Sequence, residues 1–357
     1  MKIAFLTRKY PPQKGGMETF SWELTKNYPN EKIVLHHGKR QIDVLWSAPL
    51  LILQTWFLKK ETALFHLGDL VLGLIAPLLK LLTKKPIVVT VHALELTYNA
   101  FWGLYQKLLN FTLKTQAIDH YVAVSEYTKK LLLTKGILAN KITVIPHGVS
   151  APKNTDLELA RKKLCEKIAC SPDRLLLLSV ARLVRRKGLA WFIEEVLPKL
   201  QKYNPLYLVA GSGLEQKNIE KIIQKTKQQN NVCLLGKVNS EILENLYQGA
   251  DIFIAPNIPV ANDSEGFGFT ALEAAVHGLP VIAADLEGIP SAIHQGKNGI
   301  LLEPQNAEAF VKQITVWIEQ NPVDRKNFGK QAQIYTLKNF RWPDVALNYQ
   351  KLFESLV

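Results

Sequence analysis

The sequence predicts an α/β protein of two doubly wound domains, and three observations carry that prediction. Short β-rich apolar runs alternate with longer stretches of helical periodicity from end to end. A segment with two prolines, a glycine and small residues divides the runs into two sets. The 357 residues, 47% of them hydrophobic, suffice for two ordinary cores rather than one swollen one. Such alternation builds parallel sheets with helices on both faces, and these sheets bind ligands beyond the carboxyl ends of their strands.

The first set of predicted strands covers 3–7, 33–35, 64–67, 87–91, 121–124 and 142–145; the second covers 175–180, 206–210, 232–235, 252–255 and 281–284. Between them Pro146-His147-Gly148-Val149-Ser150-Ala151-Pro152 reads as the joint, which sets an N-terminal domain over 1–150 and a C-terminal domain over 151–339. A ligand is expected in the cleft between the two. The closing stretch 344–356 follows Trp342-Pro343 and has apolar residues at Val345, Leu347, Leu352, Phe353 and Leu356. A proline there starts or kinks a helix.

Charge is unevenly placed. Residues 1–150 hold 19 lysines and arginines against 9 acidic residues, so +10 of the formal +13 lies in the first domain. Nucleic acid, an anionic membrane, an anionic substrate or a solvated lysine face all fit that asymmetry. No aromatic-basic RNA motif or recognition-helix pattern accompanies it, so a nucleic-acid partner is not expected. Cys165, Cys170 and Cys233 have no ligand spacing and no histidine cluster, which points to neither disulfides nor zinc and fits a reducing cytoplasm. Residues 1–7 run straight into Arg8 and Lys9, unlike a secretory signal. The uncharged stretches 44–58 and 70–79 fall short of the roughly 20 residues a spanning helix needs. Followed by Lys59-Lys60 and Lys84-Lys85, they read equally well as core helices or as a peripheral contact with anionic lipid.

The strongest chemical signal is Asp263-Ser264-Glu265-Gly266-Phe267-Gly268-Phe269-Thr270-Ala271-Leu272-Glu273-Ala274. Its first glutamate lies in a glycine-bracketed turn and its second inside a helix that begins near Gly268. Amides at such a helix start attract anions with about 0.3–1 kcal/mol, up to about 2 when partly buried. Gly266 and Gly268 let the backbone approach a ligand, and Glu273 can accept hydrogen bonds from the vicinal hydroxyls of a ribose. The second signal is Ser179-Val180-Ala181-Arg182-Leu183-Val184-Arg185-Arg186-Lys187-Gly188 at a strand exit. There Arg182 and Lys187 offer a diphosphate one forked and one point cation. The bland reading of that segment is four exposed basic residues on a solvated turn.

Pro11-Pro12-Gln13-Lys14-Gly15-Gly16-Met17-Glu18 sets a glycine pair before a helix; a tight turn explains it as well as a ligand does. Neither it nor Gly211-Ser212-Gly213 has the third glycine of a dinucleotide fingerprint. His92 stands at the carboxyl end of a predicted strand, where functional side chains collect, although a lone histidine is more often structural.

In this order, Gly15-Gly16-x-Glu18, Val91-His92, Val122-Ala-Val-Ser125, Ile145-Pro-His-Gly148, Val180-Ala-Arg182-Leu-x3-Lys187-Gly188, Ala210-Gly-Ser-Gly213, Leu235-Gly236 and Glu265-x7-Glu273 resemble the retaining glycosyltransferases of family 4 over nearly the whole chain. The resemblance implies the GT-B fold, two Rossmann-like domains facing a central cleft, with a last helix over 340–357 crossing back onto the first domain. It also implies transfer of a hexose, with retention, from a nucleotide sugar to a lipid-linked or saccharide acceptor. GDP-mannose and UDP-hexoses both fit, with a lean to the former from the likeness of 256–268 to lipid mannosyltransferases. Carried over residue by residue, Arg182 and Lys187 bind the diphosphate and Glu273 the ribose. Glu265 and the backbone of Gly266, Phe267, Gly268, Phe269 and Thr270 meet the donor sugar and phosphates. Gly15, Gly16 and Gly213 lie by the donor, Lys237 and Val238 flank the base, and His92 lies near the reacting sugar.

This sequence departs from the family pattern at Ala181, where a glycine is usual, and at His147, where asparagine is common. Residues 38–65 have no clear family counterpart. No D-x-D pair suggests a metal site, so no cofactor and no metal are expected. A non-transferring relative on the same fold, a phosphorylase or sugar-nucleotide epimerase, is the alternative.

Overall fold

The computed structural model describes residues 1–12, 15–36, 43–97, 103–152 and 157–357, with side chains from residue 48 onward in the helix that begins at 43. Gln13 and Lys14 of the glycine-pair motif lie outside the described residues. Two compact units form. One comprises Met1–Gly148, Asn262–Phe267 and Phe340–Val357, and the other Val149–Ala261 and Gly268–Asn339. The glutamate motif is thus divided, with Glu265, Gly266 and Phe267 in the first unit and Gly268 onward in the second.

In the first unit the order is β1 (Ile3–Thr7), α1 (Gly16–Asn27), β2 (Lys32–His36), α2 (Asp43–Leu58), β3 (Leu64–Leu67), a 3-10 turn (Leu72–Ile75), α3 (Ala76–Thr83), β4 (Ile87–Val91), α4 (Leu94–Thr97), α5 (Leu104–Lys114), β5 (His120–Ala123), α6 (Glu126–Thr134) and β6 (Ile142–Val144). All pairings are parallel, in the order β2-β1-β3-β4-β5-β6, and Ile3 sits between Lys32 on one side and Leu64 on the other. β1, β3, β4 and β5 are buried at every residue, which is why they read as continuous apolar runs. The chain steps one way from β1 to β2 and the other way ever after. Right-handed crossovers therefore place α1 on one face and α2, α3, α5 and α6 on the opposite face.

In the second unit the order is α7 (Leu157–Ile168), β7 (Leu176–Val180), α8 (Leu189–Trp191, continued by a π turn and a 3-10 turn to Tyr203), β8 (Leu206–Ala210), α9 (Gln216–Lys225), β9 (Val232–Gly236), α10 (Ser240–Gly249), β10 (Ile252–Ala255), α11 (Phe269–Val276), β11 (Val281–Ala284), β12 (Ile300–Leu302), α12 (Ala307–Glu319) and α13 (Pro322–Asn339). Its sheet is also wholly parallel, ordered β12-β11-β10-β7-β8-β9.

α14 (Trp342–Glu354) begins with its proline in the first turn and belongs to the first unit. It packs on α1. Tyr349 bonds Thr90 at 2.9 Å, and Phe353 lies against Phe5, Tyr28 and His66. Burial pushes the His66 imidazole down to about 3, so this seam is neutral. Every predicted strand formed, the largest difference being the growth of 33–35 to Lys32–His36. β12 was not predicted, because a three-residue, half-buried edge strand is too short for periodicity to show. Among the described residues no helix is long and apolar enough to cross a membrane.

Candidate active site

In each sheet one pair of neighbouring strands marks where the chain reverses direction, and ligands of open α/β sheets bind at the carboxyl ends there. In the second unit that pair is β7 and β10. The loop leaving β7 carries Arg182, exposed, and Lys187, half-buried; the chain leaving β10 runs on to Gly268 and α11. The two exits touch. A Cβ on Gly188 would stand 1.8 Å from the Pro256 carbonyl oxygen, and the Ile258 amide donates to the Arg186 carbonyl at 2.9 Å. Only glycine, here at φ 66°, fits such an approach. Arg186 is buried, so the basic segment is not the uniformly solvated turn of the bland reading.

The next two strands brace the Arg182 loop through backbone alone. Ala181 and Leu183 amides donate to the Ala210 and Ser212 carbonyls at 3.0 Å each, and the Gly211 amide donates to Gly236 at 2.8 Å. A Cβ on Gly211 would stand 1.8 Å from the Ala181 carbonyl oxygen, and one on Gly213 would stand 2.3 Å from that of Leu183. Both glycines are thus required by the protein's own packing, whatever else they meet. Lys237, exposed, and Val238, half-buried, follow directly after β9.

Gly268, at φ 86°, caps α11, with Phe269 and Thr270 half-buried in its first turn. Glu273 lies on the same helix. Its Oε2 accepts from the Tyr247 hydroxyl at 2.8 Å; Tyr247 stacks on His277, whose Nδ1 donates to the Glu273 carbonyl at 2.7 Å. Burial raises the Glu273 carboxyl to about 7; the Tyr247 hydrogen bond opposes the rise and the Glu244 charge adds to it.

In the first unit the reversal lies between β1 and β3. Arg8 follows β1 and Asp69 lies just after β3; they pair at 2.8 Å, buried, while the other Asp69 oxygen caps the amides of Val71 and Leu72. Gly15 precedes α1, and among the described residues, chain neighbours and the helix's own backbone aside, no atom lies within 4 Å of where a Cβ on Gly16 would stand. His92 follows β4. Its Nε2 donates to the Gly68 carbonyl at 3.1 Å, and its backbone amide donates to Glu95 Oε2 at 2.9 Å. Burial raises the Glu95 carboxyl. Ala93, next in the chain, is held at φ 71°, a strained conformation for a residue with a Cβ.

Within this unit His92 and the Glu265-Gly266 turn come together. A Cβ on Gly266 would stand 2.3 Å from the His92 carbonyl oxygen, and Ser264 bonds Tyr127 at 2.9 Å. Glu265 is buried. Phe267 lies 5.0 Å from His147, which in turn lies 5.3 Å from His92 and 5.0 Å from Phe20, ring to ring. Burial holds His147 well below the usual imidazole range. Sequence reasoning missed Arg8, Asp69, Glu95, Tyr247 and the burial of Arg186. Arg8 and Glu95 had a signal, one directly after a predicted strand and the other three residues after His92. Tyr247 had none.

Two parallel six-stranded sheets, each doubly wound about its own switch point, define the GT-B fold. Two family models match it, Glycosyltransferase Family 4 over residues 6–151 and Glycosyl transferases group 1 over residues 161–334, and the chain belongs to this glycosyltransferase family. An uncharacterized glycosyltransferase of Methanocaldococcus jannaschii is 26% identical over 254 residues, 69% of this chain and 63% of that protein. The alpha-monoglucosyldiacylglycerol synthase of Acholeplasma laidlawii is 26% identical over 270 residues, 71% of this chain and 66% of that one. The matches span just under two thirds of either relative. The crystal structure of Anabaena HepE in complex with UDP and glucose shares the fold, with a TM-score of 0.78 at 19% identity over 100% of both chains.

Proposed function

We propose that this glycosyltransferase moves a hexose from a nucleoside diphosphate sugar to a lipid-linked or saccharide acceptor, with retention at the anomeric carbon and without a metal. The carrying observation is the β7–β10 switch point, where the Arg182–Lys187 loop is locked by backbone contact to the exit of the strand that leads into α11. Arg182 and Lys187 neutralise the diphosphate and Glu273 accepts from the ribose hydroxyls. Glu265 and the Gly266–Thr270 backbone hold the sugar and phosphates, Gly15, Gly16 and Gly213 lie by the donor, Lys237 and Val238 flank the base, and His92 stands by the reacting sugar.

In the reaction the bond from the anomeric carbon to the β-phosphate oxygen breaks, its electron pair leaving with the phosphate. The acceptor oxygen bonds to the same face of that carbon, and the acceptor proton passes to the departing phosphate. Charge grows on phosphate as an oxocarbenium develops, so fixed cations lower the barrier more than they tighten the ground state. Similarity to a structure solved with UDP and glucose supports a UDP-hexose, and the 256–268 stretch supports GDP-mannose. Similarity to a protein named alpha-monoglucosyldiacylglycerol synthase supports a lipid acceptor; we place the enzyme in the cytoplasm, in peripheral contact with anionic membrane.

A thermal-shift panel of UDP, GDP and their sugars tests the reading. The true donor at a hundredfold its Kd stabilises the fold by about 2.7 kcal/mol, and a flat response to every nucleotide sinks the assignment. EDTA is expected to leave turnover unchanged; a loss restored by Mn²⁺ would show that the two cations do not suffice. Proton NMR of the product reads whether the anomeric configuration is kept.

A further inference from the structure

α2 carries no charged side chain from Val44 to Leu58, yet it lies on the surface of the first unit. One side of it is core: Leu51 and Thr55 are fully buried. The opposite side presents Leu53, Trp56 and Phe57 to solvent, Phe57 at 66% exposure. A helix apolar all round belongs in a core or in lipid, and this one has protein on one side only. α3 packs beside it and exposes Leu78 and Leu81, the latter at 74%. Both helices lie on the same face of the first sheet, as the strand order requires.

Within α2 from Val44 on and within α3 the only charged side chain is Lys80, which pairs with Asp119 at 2.7 Å. Neither α2 from Val44 on nor α3 contains an acidic residue, and their ends carry Lys59, Lys60, Lys84 and Lys85. The Lys59 amine lies 5.1 Å from the Trp56 ring centre and donates to the Leu82 carbonyl at 3.4 Å, tying the two helix ends together. Glu61, the nearest acid in sequence, pairs with Lys2. Leucine, tryptophan and phenylalanine on one side, with Lys59 held over the Trp56 ring and further lysines at the helix ends, is the pattern of a helix lying in a lipid interface.

We propose that the outer face of α2 and α3 docks on an anionic lipid bilayer, with Leu53, Trp56, Phe57 and Leu81 entering the headgroup boundary and the four lysines meeting lipid phosphates. The inference rests on the transferase reading only in what it supplies, a lipid-linked acceptor delivered at the membrane surface. A second copy of the chain is the other occupant such a face invites. Two-fold pairing would set this lysine rim against itself, whereas anionic headgroups complement it.

The test is flotation of the full chain with phosphatidylcholine vesicles, with and without a third of phosphatidylglycerol. Wild-type protein is expected to float only with the anionic vesicles and to be released as salt rises. Phe57→Ser with Leu81→Ser should stay at the bottom. Lys60→Glu with Lys84→Glu, at exposed positions where folding is not at stake, should lower vesicle partitioning by more than the roughly fivefold per lysine that neutralisation alone removes. The idea fails if wild-type protein ignores anionic vesicles, if both double variants float as well as wild type, or if gel filtration shows a dimer that Phe57→Ser with Leu81→Ser abolishes. Nucleotide thermal shifts run on the same samples separate the readings. Flotation with no nucleotide response strikes the transferase assignment alone, and a nucleotide response without flotation strikes this one.

Discussion

The carboxyl edges of the two sheets solve the same problem with different materials. Around Arg182 the second sheet uses bare backbone: Gly188, Gly211, Gly213 and Gly236 bring four strand exits into contact, and the arginine itself is left exposed. Around His92 the first sheet uses buried side chains. The Arg8–Asp69 pair, the Glu95 carboxyl on the His92 amide, and the rings of Phe20 and His147 hold the edge together. A frame made of peptide groups leaves the Arg182 side chain exposed. A frame made of charges and rings is largely spent on itself, because Arg8 meets Asp69, burial raises the Glu95 carboxyl and burial lowers the His147 imidazole. The difference suits the proposed function, in which the second unit would bind a charged diphosphate and the first would face an uncharged sugar hydroxyl.

The comparison breaks most easily at the glycines. Gly211→Ala sets a methyl 1.8 Å from the Ala181 carbonyl oxygen at a φ of 140°, and nothing on the backbone can yield. The expected cost exceeds about 4 kcal/mol, the range in which a domain fails to fold, read by calorimetry as loss of the second unit's transition. Gly16→Ala is the control, since nothing among the described residues crowds a Cβ at that position. Its Tm should match wild type, and if the donor passes close by, its nucleotide-induced shift should shrink. A Gly211→Ala protein as stable as wild type would show that backbone lacing does not hold the Arg182 loop.

Next in size are the cations. Arg182→Ala and Lys187→Ala should each slow transfer by about 10² to 10³, the scale of one lost oxyanion donor, or about 2.7–4 kcal/mol. Turnover at saturating donor separates this from simple weakening of binding. If both variants keep full turnover and only KM rises, the pair binds the ground state and the charge that matters lies elsewhere.

What the sequence made legible follows the same division. Continuous apolar runs such as 87–91 and 206–210 show because parallel strands are buried on both faces, and glycines show because a missing Cβ is a backbone requirement. The second sheet's edge was therefore largely readable, down to the loop that presents Arg182. The first sheet's edge was not. Arg8, Asp69 and Glu95 are ordinary charged residues in sequence, and only the strand order β1-β3-β4 brings them to one edge. Tyr247 reaches Glu273 from another helix, a contact no spacing encodes. The split of the glutamate motif, with Asn262–Phe267 grouped with the first unit, also depends on tertiary packing of Gly266 against His92.

The smallest expected effect concerns a carboxyl at the second edge, where side chains rather than bare backbone meet. Glu273 is a desolvated carboxyl raised to about 7 from an ordinary 4.5, facing Tyr247 and Glu244, with His277 stacked behind. Between those two values the folded chain holds a proton that the unfolded chain has lost, so stability is fullest below pH 4.5 and falls as pH rises through 7. Glu273→Gln removes that term and should flatten the Tm profile by a few degrees between pH 5 and pH 8. If the ribose hydroxyls donate to the ionised carboxylate, donor binding must drive the proton off. Calorimetric titrations below pH 7 in buffers of different ionisation enthalpy should then register proton release, and affinity should rise with pH until the group is ionised. Proton uptake on binding would mean that Glu273 meets the donor as the neutral acid, with the ribose accepting rather than donating.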